Sequence, residues 1–298
     1  MADRSAEEIR QRRERRAERR QSQRLANLQR AAKMHSVRVS EEHEPNTTAP
    51  AISFRDGIHI GCSGWYYWHW KGGFYPAEVP SSQWFSVYEQ SFETVELNAP
   101  FWPTIATVKT WLRQATGDFI YTIKVCELII HIRRFDETET LILDFCYIAD
   151  LLGERMGCFL FQLPPSIRYD PTLLKTVLQQ LDPRHRNVVE FRHKSWRNED
   201  VYAAFRAAGV IFCSCSGPRL PDELVKTADD IYVRFHGTKN WYRHDYSDDE
   251  LAIWAERIRA SGAKNVWVYF NNDRGGHSIK NAKTLRELLS GNKGGMPA

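Results

Sequence analysis

No stretch of this 298-residue chain is apolar over membrane length, and no signal-peptide apolar region is present. We therefore expect a cytoplasmic chain with no membrane partner, or a nuclear one if its Arg-rich N-terminus acts as a targeting signal. None of the six cysteines (Cys62, Cys126, Cys146, Cys158, Cys213 and Cys215) forms a CxxC pair, and most lie inside apolar runs. Reduced, buried thiols are the expectation. There is no HxH or HExxH spacing and no GxSxG elbow. No GxGxxG or GxxxxGK[ST] turn follows any strand-like run. These absences argue against familiar zinc, nucleophilic-serine, dinucleotide and P-loop sites. The body also lacks a charge surplus. Residues 1–50 hold twelve Lys/Arg and eight Asp/Glu, which accounts for the whole net charge of +4 and leaves 29 basic and 29 acidic residues beyond them. A globally basic nucleic-acid-binding body is not what this composition describes.

The N-terminal 50 residues form a separate compositional unit. Ten arginines fall before residue 31, interspersed with Asp3, Glu7, Glu8, Glu14 and Glu18, a mixture unlike a mitochondrial transit peptide. Residues 5–33 suit a polar helix with little apolar face, since Ile9, Leu25, Leu28 and scattered Ala are all it has to bury. The expectation is a basic, flexible extension, largely disordered or an isolated helix, over 1–50, followed by one folded domain over 51–298. Residues 40–48 read as a linker. Such an arm either solubilises the protein or binds RNA, DNA or a partner, although the Glu residues weaken phosphate attraction.

After residue 57 two patterns alternate. Strand-like runs fall at about 58–62, 94–98, 119–125, 158–163, 188–192, 210–215, 231–236 and 266–271. Helix-like segments fall at about 81–91, 104–115, 138–156, 171–181, 198–208, 221–227, 247–260 and 278–289. Pro171 and Pro221 suit first helical turns, and Ser247 with Glu250 reads as a capping box. Eight β–α units in order imply a parallel sheet with helical crossovers, and eight is the closure number of a (β/α)₈ barrel. The fold class is therefore α/β, a TIM-type barrel.

In such barrels ligands sit at the C-terminal strand ends. There the runs carry Glu96 and Asn98, Lys124, Gln162, Glu190 and Arg192, Arg234 and His236, and Asn271, Asn272 and Asp273. Strand alternation places Glu190 with Arg192, and Arg234 with His236, on common faces. Such groups either pair with one another, closing the mouth with structural ion pairs, or line a pocket. On the pocket reading, Lys124, Arg192 and Arg234 bind phosphate or carboxylate. Glu190 or Glu96 is then the base and His236 the acid. Asn98, Gln162 and Asn271 hold hydroxyl or amide groups. Glu190, His193, His236 and Asp273 are metal-ligand types, but neighbours such as Arg192 and His193 point opposite ways, so neither a metal nor a cofactor is expected. Aromatics crowd the loops. Trp65-Tyr66-Tyr67-Trp68-His69-Trp70 follows the first strand, and Trp241-Tyr242-Arg243-His244-Asp245-Tyr246 the seventh. They pack as lids or offer a stacking platform, with Trp65, Tyr242, Arg243 and Tyr246 the leading candidates. The glycines of Gly61-Cys62-Ser63-Gly64 suit close backbone approach to a ligand.

Six ordered segments carry a family resemblance. They are Ile60-Gly61-Cys62-Ser63-Gly64-Trp65, Thr94-Val95-Glu96-Leu97-Asn98, Phe161-Gln162-Leu163-Pro164-Pro165, Val189-Glu190-Phe191-Arg192-His193-Lys194-Ser195-Trp196, Val233-Arg234-Phe235-His236-Gly237 and Tyr269-Phe270-Asn271-Asn272. Over about residues 58–290 the chain resembles the YecE-like family. The resemblance implies a TIM-type barrel and no assigned reaction. That barrel is similar in outline to endonuclease IV and sugar-isomerase-like barrels, but the metal-ligand histidines of endonuclease IV are not evident here. Family members usually carry an Asp after the sixth strand, where this chain has Cys213-Ser214-Cys215-Ser216-Gly217-Pro218. Two functional expectations follow. The first is a metal-independent acid–base enzyme (hydrolase, lyase or isomerase) acting on an anionic sugar-phosphate or nucleotide-like ligand. The second is a nucleic-acid-binding or nucleic-acid-processing protein using the basic tail and aromatic mouth.

Overall fold

The computed structural model describes residues 6–42, 57–98 and 101–291. Eight parallel strands close into a barrel in sequence order: β1 (Gly57–Cys62), β2 (Thr94–Leu97), β3 (Ile120–Lys124), β4 (Met156–Leu163), β5 (Asn187–Phe191), β6 (Ile211–Ser216), β7 (Asp230–Phe235) and β8 (Asn265–Phe270). β8 pairs with β1 from Gly57↔Asn265 to Cys62↔Phe270, so no sheet edge is left open. Helices α2 (Trp84–Glu89), α3 (Ile105–Gln114), α4 (Glu139–Leu152), α5 (Pro171–Gln180), α6 (Glu199–Ala208), α7 (Asp248–Ala260) and α8 (His277–Ser290) surround it. Alternate strand residues separate two cores. Cys158, Leu160, Val188, Cys213, Cys215, Tyr232, Trp267 and Tyr269 fill the interior, while a larger apolar layer joins the strands to the helices. All six cysteines are buried free thiols.

The helix signals hold at particular residues. Asp170 caps α5 with Pro171 in its first turn, Ser247 and Glu250 form the capping box of α7, and Gly209 ends α6 in the left-handed conformation. The helix expected at 221–227 is absent. Its backbone instead runs beside β6, where the Thr227 hydroxyl accepts from Phe212 N (2.9 Å) and donates to Val210 O (2.6 Å), and Ser214 Oγ accepts from Val225 N (2.9 Å). These side-chain bonds satisfy strand groups, and Asp222 and Glu223 pair with Arg257 and Arg197 rather than extending a helix.

The N-terminal segment departs further from expectation. Residues Ala6–Glu42 form one continuous helix, α1, and its second half is docked rather than isolated. Asn27, Ala31 and Met34 are buried, while Leu25 and Leu28 lie exposed. Docking therefore uses a mixed face whose polar members find partners. Asn27 Oδ1 accepts from Trp102 N (3.0 Å), Arg38 Nε donates to Asp144 Oδ1 (2.8 Å), and His35 Nδ1 lies 3.0 Å from the same oxygen. The boundary expected near residue 50, and most of the expected linker, lie outside the described residues. A carboxylate at Met34 would be buried where the thioether now packs, and Arg38 on this face is already held by Asp144. Met34→Asp is expected to release α1, seen as a severalfold faster tryptic cut at Arg30, Lys33 and Arg38 with the barrel still folding cooperatively. Unchanged cutting would mean the packing contributes little.

Candidate functional site at the barrel mouth

The upper interior layer is built around one guanidinium. Arg234 on β7 is fully buried, with NH2 donating to Glu96 Oε1 on β2 (2.6 Å) and NH1 donating to Glu190 Oε2 on β5. Glu96 also accepts from Ser63 Oγ (2.7 Å) and Tyr232 OH (2.6 Å), and Glu190 from Arg192 Nε (2.6 Å). Unpaired, such charges cost several kcal/mol each; here each carboxylate oxygen has a donor. Arg234 and Arg192 hold Glu190 well below the ordinary carboxylate range against the opposing effect of burial. His236 is fully buried, with Nδ1 3.2 Å from Asn271 Nδ2 and Nε2 3.6 Å from Glu190 Oε1. Burial, then the Arg234 charge, pushes its pKa down to about 3.

This geometry changes the roles expected of three residues. Glu190 is a weak base because two guanidiniums stabilise its anion, and Glu96 is saturated by three donors. His236 is a neutral imidazole without solvent contact, unsuited to giving up a proton near pH 7. Glu190, Cys215 and His236 bring potential metal-ligand atoms within 4.8 Å of one another. Arg234 and Arg192 already occupy both Glu190 oxygens, so a cation there meets two like charges.

Above this layer lies an accessible one. Lys124, at the end of β3, donates from Nζ to Asn98 Oδ1 (3.1 Å). Burial and the Arg234 charge lower its pKa to about 8. Arg192 NH1 donates to Tyr242 OH (3.2 Å), and its guanidinium lies 5.0 Å over the Trp241 ring. The strand alternation also missed His131. It sits in an apolar run that forms a π-helical turn, Leu128–Arg133, where Nε2 lies 3.2 Å from the Gln162 carbonyl. Burial and Lys124 lower the His131 pKa. Immediately after it, Arg134, Phe135 and Glu137 all have positive φ, an uncommon conformation for residues with a Cβ. A π-turn followed by strained backbone is a pattern found at functional loops, and the run of apolar letters concealed it.

Most of the other candidates make contacts within the protein. Tyr246 is buried against Phe235, its hydroxyl accepting from Gly237 N (2.8 Å) and lying 2.9 Å from Ser216 Oγ. Asn272 faces the helices and donates to Asn281 Oδ1 (2.7 Å) and the His244 carbonyl (2.8 Å). Trp65 packs edge-on against Phe85 at 5.0 Å. The Asp273 carbonyl lies 2.8 Å from His69 Nε2 and 3.1 Å from Trp70 Nε1, which anchors the first loop. Gln162 is buried and Arg243 exposed. Gly61 does permit a close approach, but to the protein itself: a Cβ there would lie 2.3 Å from the Thr94 carbonyl. A cavity of about 680 Å³ lies at the opposite end of the barrel near His185 and Asp230, away from this cluster.

A closed eight-stranded parallel barrel with charged groups at its C-terminal strand ends defines a TIM-type barrel protein. The family described as "Protein of unknown function DUF72" matches residues 59–297, and the chain belongs to it. It is similar to the UPF0759 protein YunF of Bacillus subtilis, 26% identical over 270 residues that cover 78% of this chain and 94% of that protein. A DUF72 family protein (TM1631) from Thermotoga maritima superposes with a TM-score of 0.71 at 26% identity, covering 78% of this chain and 98% of its own. A DUF72 family protein (EF0366) from Enterococcus faecalis shares the fold with a TM-score of 0.65 at 20% identity, covering 79% and 98%. Among the described residues no helix is long and apolar enough to cross a membrane.

Arg234→Met should destabilise the barrel by about 3–5 kcal/mol in denaturant melts, because it strands two buried carboxylates. Adding Glu96→Gln and Glu190→Gln should recover most of that loss; no recovery would show that shape rather than charge sets the cost. Unfolded His takes up a proton below its ordinary 6.5, whereas folded His236 does so only near 3. The unfolded state therefore binds more protons between these values, and stability should fall as pH drops through the window. His236→Asn should flatten that dependence.

Proposed function

We propose that the barrel mouth binds an anionic sugar-phosphate or nucleotide-like ligand and performs proton transfer on it. The observation that carries this reading is a charge imbalance. Three cations (Lys124, Arg192 and Arg234) share a site with two carboxylates (Glu96 and Glu190), and both carboxylates are taken by the arginines. Lys124 is left with a neutral amide as its hydrogen-bond partner. A partly buried ammonium without a counter-ion is costly, and an incoming anion supplies the missing charge. Arg192, with His131 and Asn98 beside the same opening, orients the anion. Lys124 then replaces the expected Glu190 and His236 pair as the acid–base group, since a lysine lowered to about 8 exchanges protons near neutral pH. The chain's likeness to the YecE-like family fits the same barrel and adds no reaction of its own.

The sign of the pH dependence follows. Anion binding stabilises the ammonium, so affinity for inorganic phosphate or a sugar phosphate should fall as pH rises through about 8. Acylation of Lys124 by an amine-directed reagent, followed by mass spectrometry, should show a midpoint near 8 and protection by the anion. A midpoint near the 10.5 of an ordinary lysine would remove the basis for the proposal. In a screen of phosphorylated sugars and nucleotides, turnover should disappear in Lys124→Met and fall at least tenfold in Arg192→Met. Lys124→Met should also stabilise the protein by about 0.5–2 kcal/mol near pH 7, since it removes an uncompensated charge.

A further inference from the structure

The outer half of α1 is the largest charged feature that the mouth chemistry does not use, and it lies outside the family-matched residues. Its direction follows from three contacts. Asn27 and Arg30 meet Trp102, in the loop after β2 at the mouth end. His35 and Arg38 meet Asp144 in the middle of α4, and Glu41 bonds Tyr147 further along. Helix α4 runs from the mouth toward the base, because it follows β3 and precedes β4. Helix α1 is therefore antiparallel to the strands and extends past the mouth end for the residues before 27, about 30 Å at the helical rise.

The side it presents can be read from its period. The docked face is Asn27, Ala31, Met34 and Arg38, at steps of four, three and four. Continued outward at 3.6 residues per turn, the same face carries Arg20, Arg16 and Arg13. Glu7, Glu14 and Glu18 fall on the far side, where Arg10 pairs with Glu7 (2.9 Å) and Glu14 (3.8 Å). Arg13, Arg16 and Arg20 are exposed, with no ion pair among the described residues. Glu7, Glu14 and Glu18 are thus turned away, and Arg13, Arg16 and Arg20 on the barrel-facing side have no acidic residue among them. One exposed ring lies beside α1: Phe101 sits under Arg30 at 5.8 Å, while Trp68 and Tyr242 are exposed elsewhere on the mouth, on the β1 and β7 loops.

We propose that α1 is an arm that grips the phosphate backbone of single-stranded nucleic acid and leads the strand from Arg13, Arg16 and Arg20 past Arg30 and Phe101 to the mouth. A row of guanidiniums on the barrel-facing side matches one phosphate backbone, and the exposed Phe101 ring matches an unpaired base better than a duplex. The inference rests on the mouth reading only for the far end of the strand; the grip stands on α1 alone.

The test uses the full chain and a fluorescein-labelled 20-nucleotide poly(dT) or poly(U) followed by anisotropy over a salt series. Arg13→Gln/Arg16→Gln/Arg20→Gln should lower affinity at least tenfold and reduce the slope of log affinity against log salt by about 2. Glutamine keeps the helix propensity, so circular dichroism should be unchanged. Phe101→Ala should weaken binding about tenfold at unchanged salt slope. Protection of Lys124 by inorganic phosphate should persist in the triple variant. Loss of oligonucleotide binding with that protection intact supports the arm. Wild-type oligonucleotide affinity in the triple variant overturns the arm and leaves the mouth proposal standing. Equal or tighter binding of a duplex, of poly-glutamate or of anionic vesicles also overturns it.

Discussion

The mouth of this barrel depends on Arg234. Its guanidinium lies in the interior between two carboxylates, Glu96 and Glu190, from strands on either side, and it pairs with both. Ser63, Tyr232 and Arg192 complete the acceptor positions, so the layer is satisfied internally and closed to solvent. Arg234 Nε is the exception, a buried donor without a partner. Such a network is an electrostatic floor more than a source of stability, since well-packed apolar residues often do as well energetically.

What that floor does is set the field above it. Burial lowers the proton affinity of both Lys124 and His131; the Arg234 charge adds to the effect at Lys124, and the Lys124 charge adds to it at His131. The groups most conspicuous in the strands are thus buried and paired, and Lys124 and His131 sit one step outward. The left-handed residues Arg134, Phe135 and Glu137 lie where the loop that presents His131 turns back to enter α4, burying Phe135 against Phe161. The cations at the mouth and the arginines of α1 share one sign of charge.

Much of this was legible residue by residue. Eight alternating runs were enough for the barrel, and the period of two put Glu190 with Arg192, and Arg234 with His236, on common faces, which the closed barrel turns inward. Alternation carries no depth information. Whether Glu190 touches solvent depends on how far β5 and β7 are staggered once the barrel closes, a property of all eight strands together. Tyr246 and Asn272 were misread for a related reason: near strand ends, lettering does not reveal whether a loop residue turns over the mouth or back onto the helices. His131 was hidden because a π-turn has no periodic signature within a run of Leu and Ile.

The sequence by itself determined the inward faces of the strands, the capped starts of α5 and α7, and the charge asymmetry between tail and body, because each rests on local periodicity or composition. Only the tertiary structure decided which charges cancel, which lysine is left over, and which side of α1 faces the barrel. Those outcomes arise from contacts between residues 40 to 140 positions apart, such as Arg234 with Glu96 and Arg38 with Asp144. Burial there reverses the ordinary expectation for an ionisable group, and no local pattern encodes it.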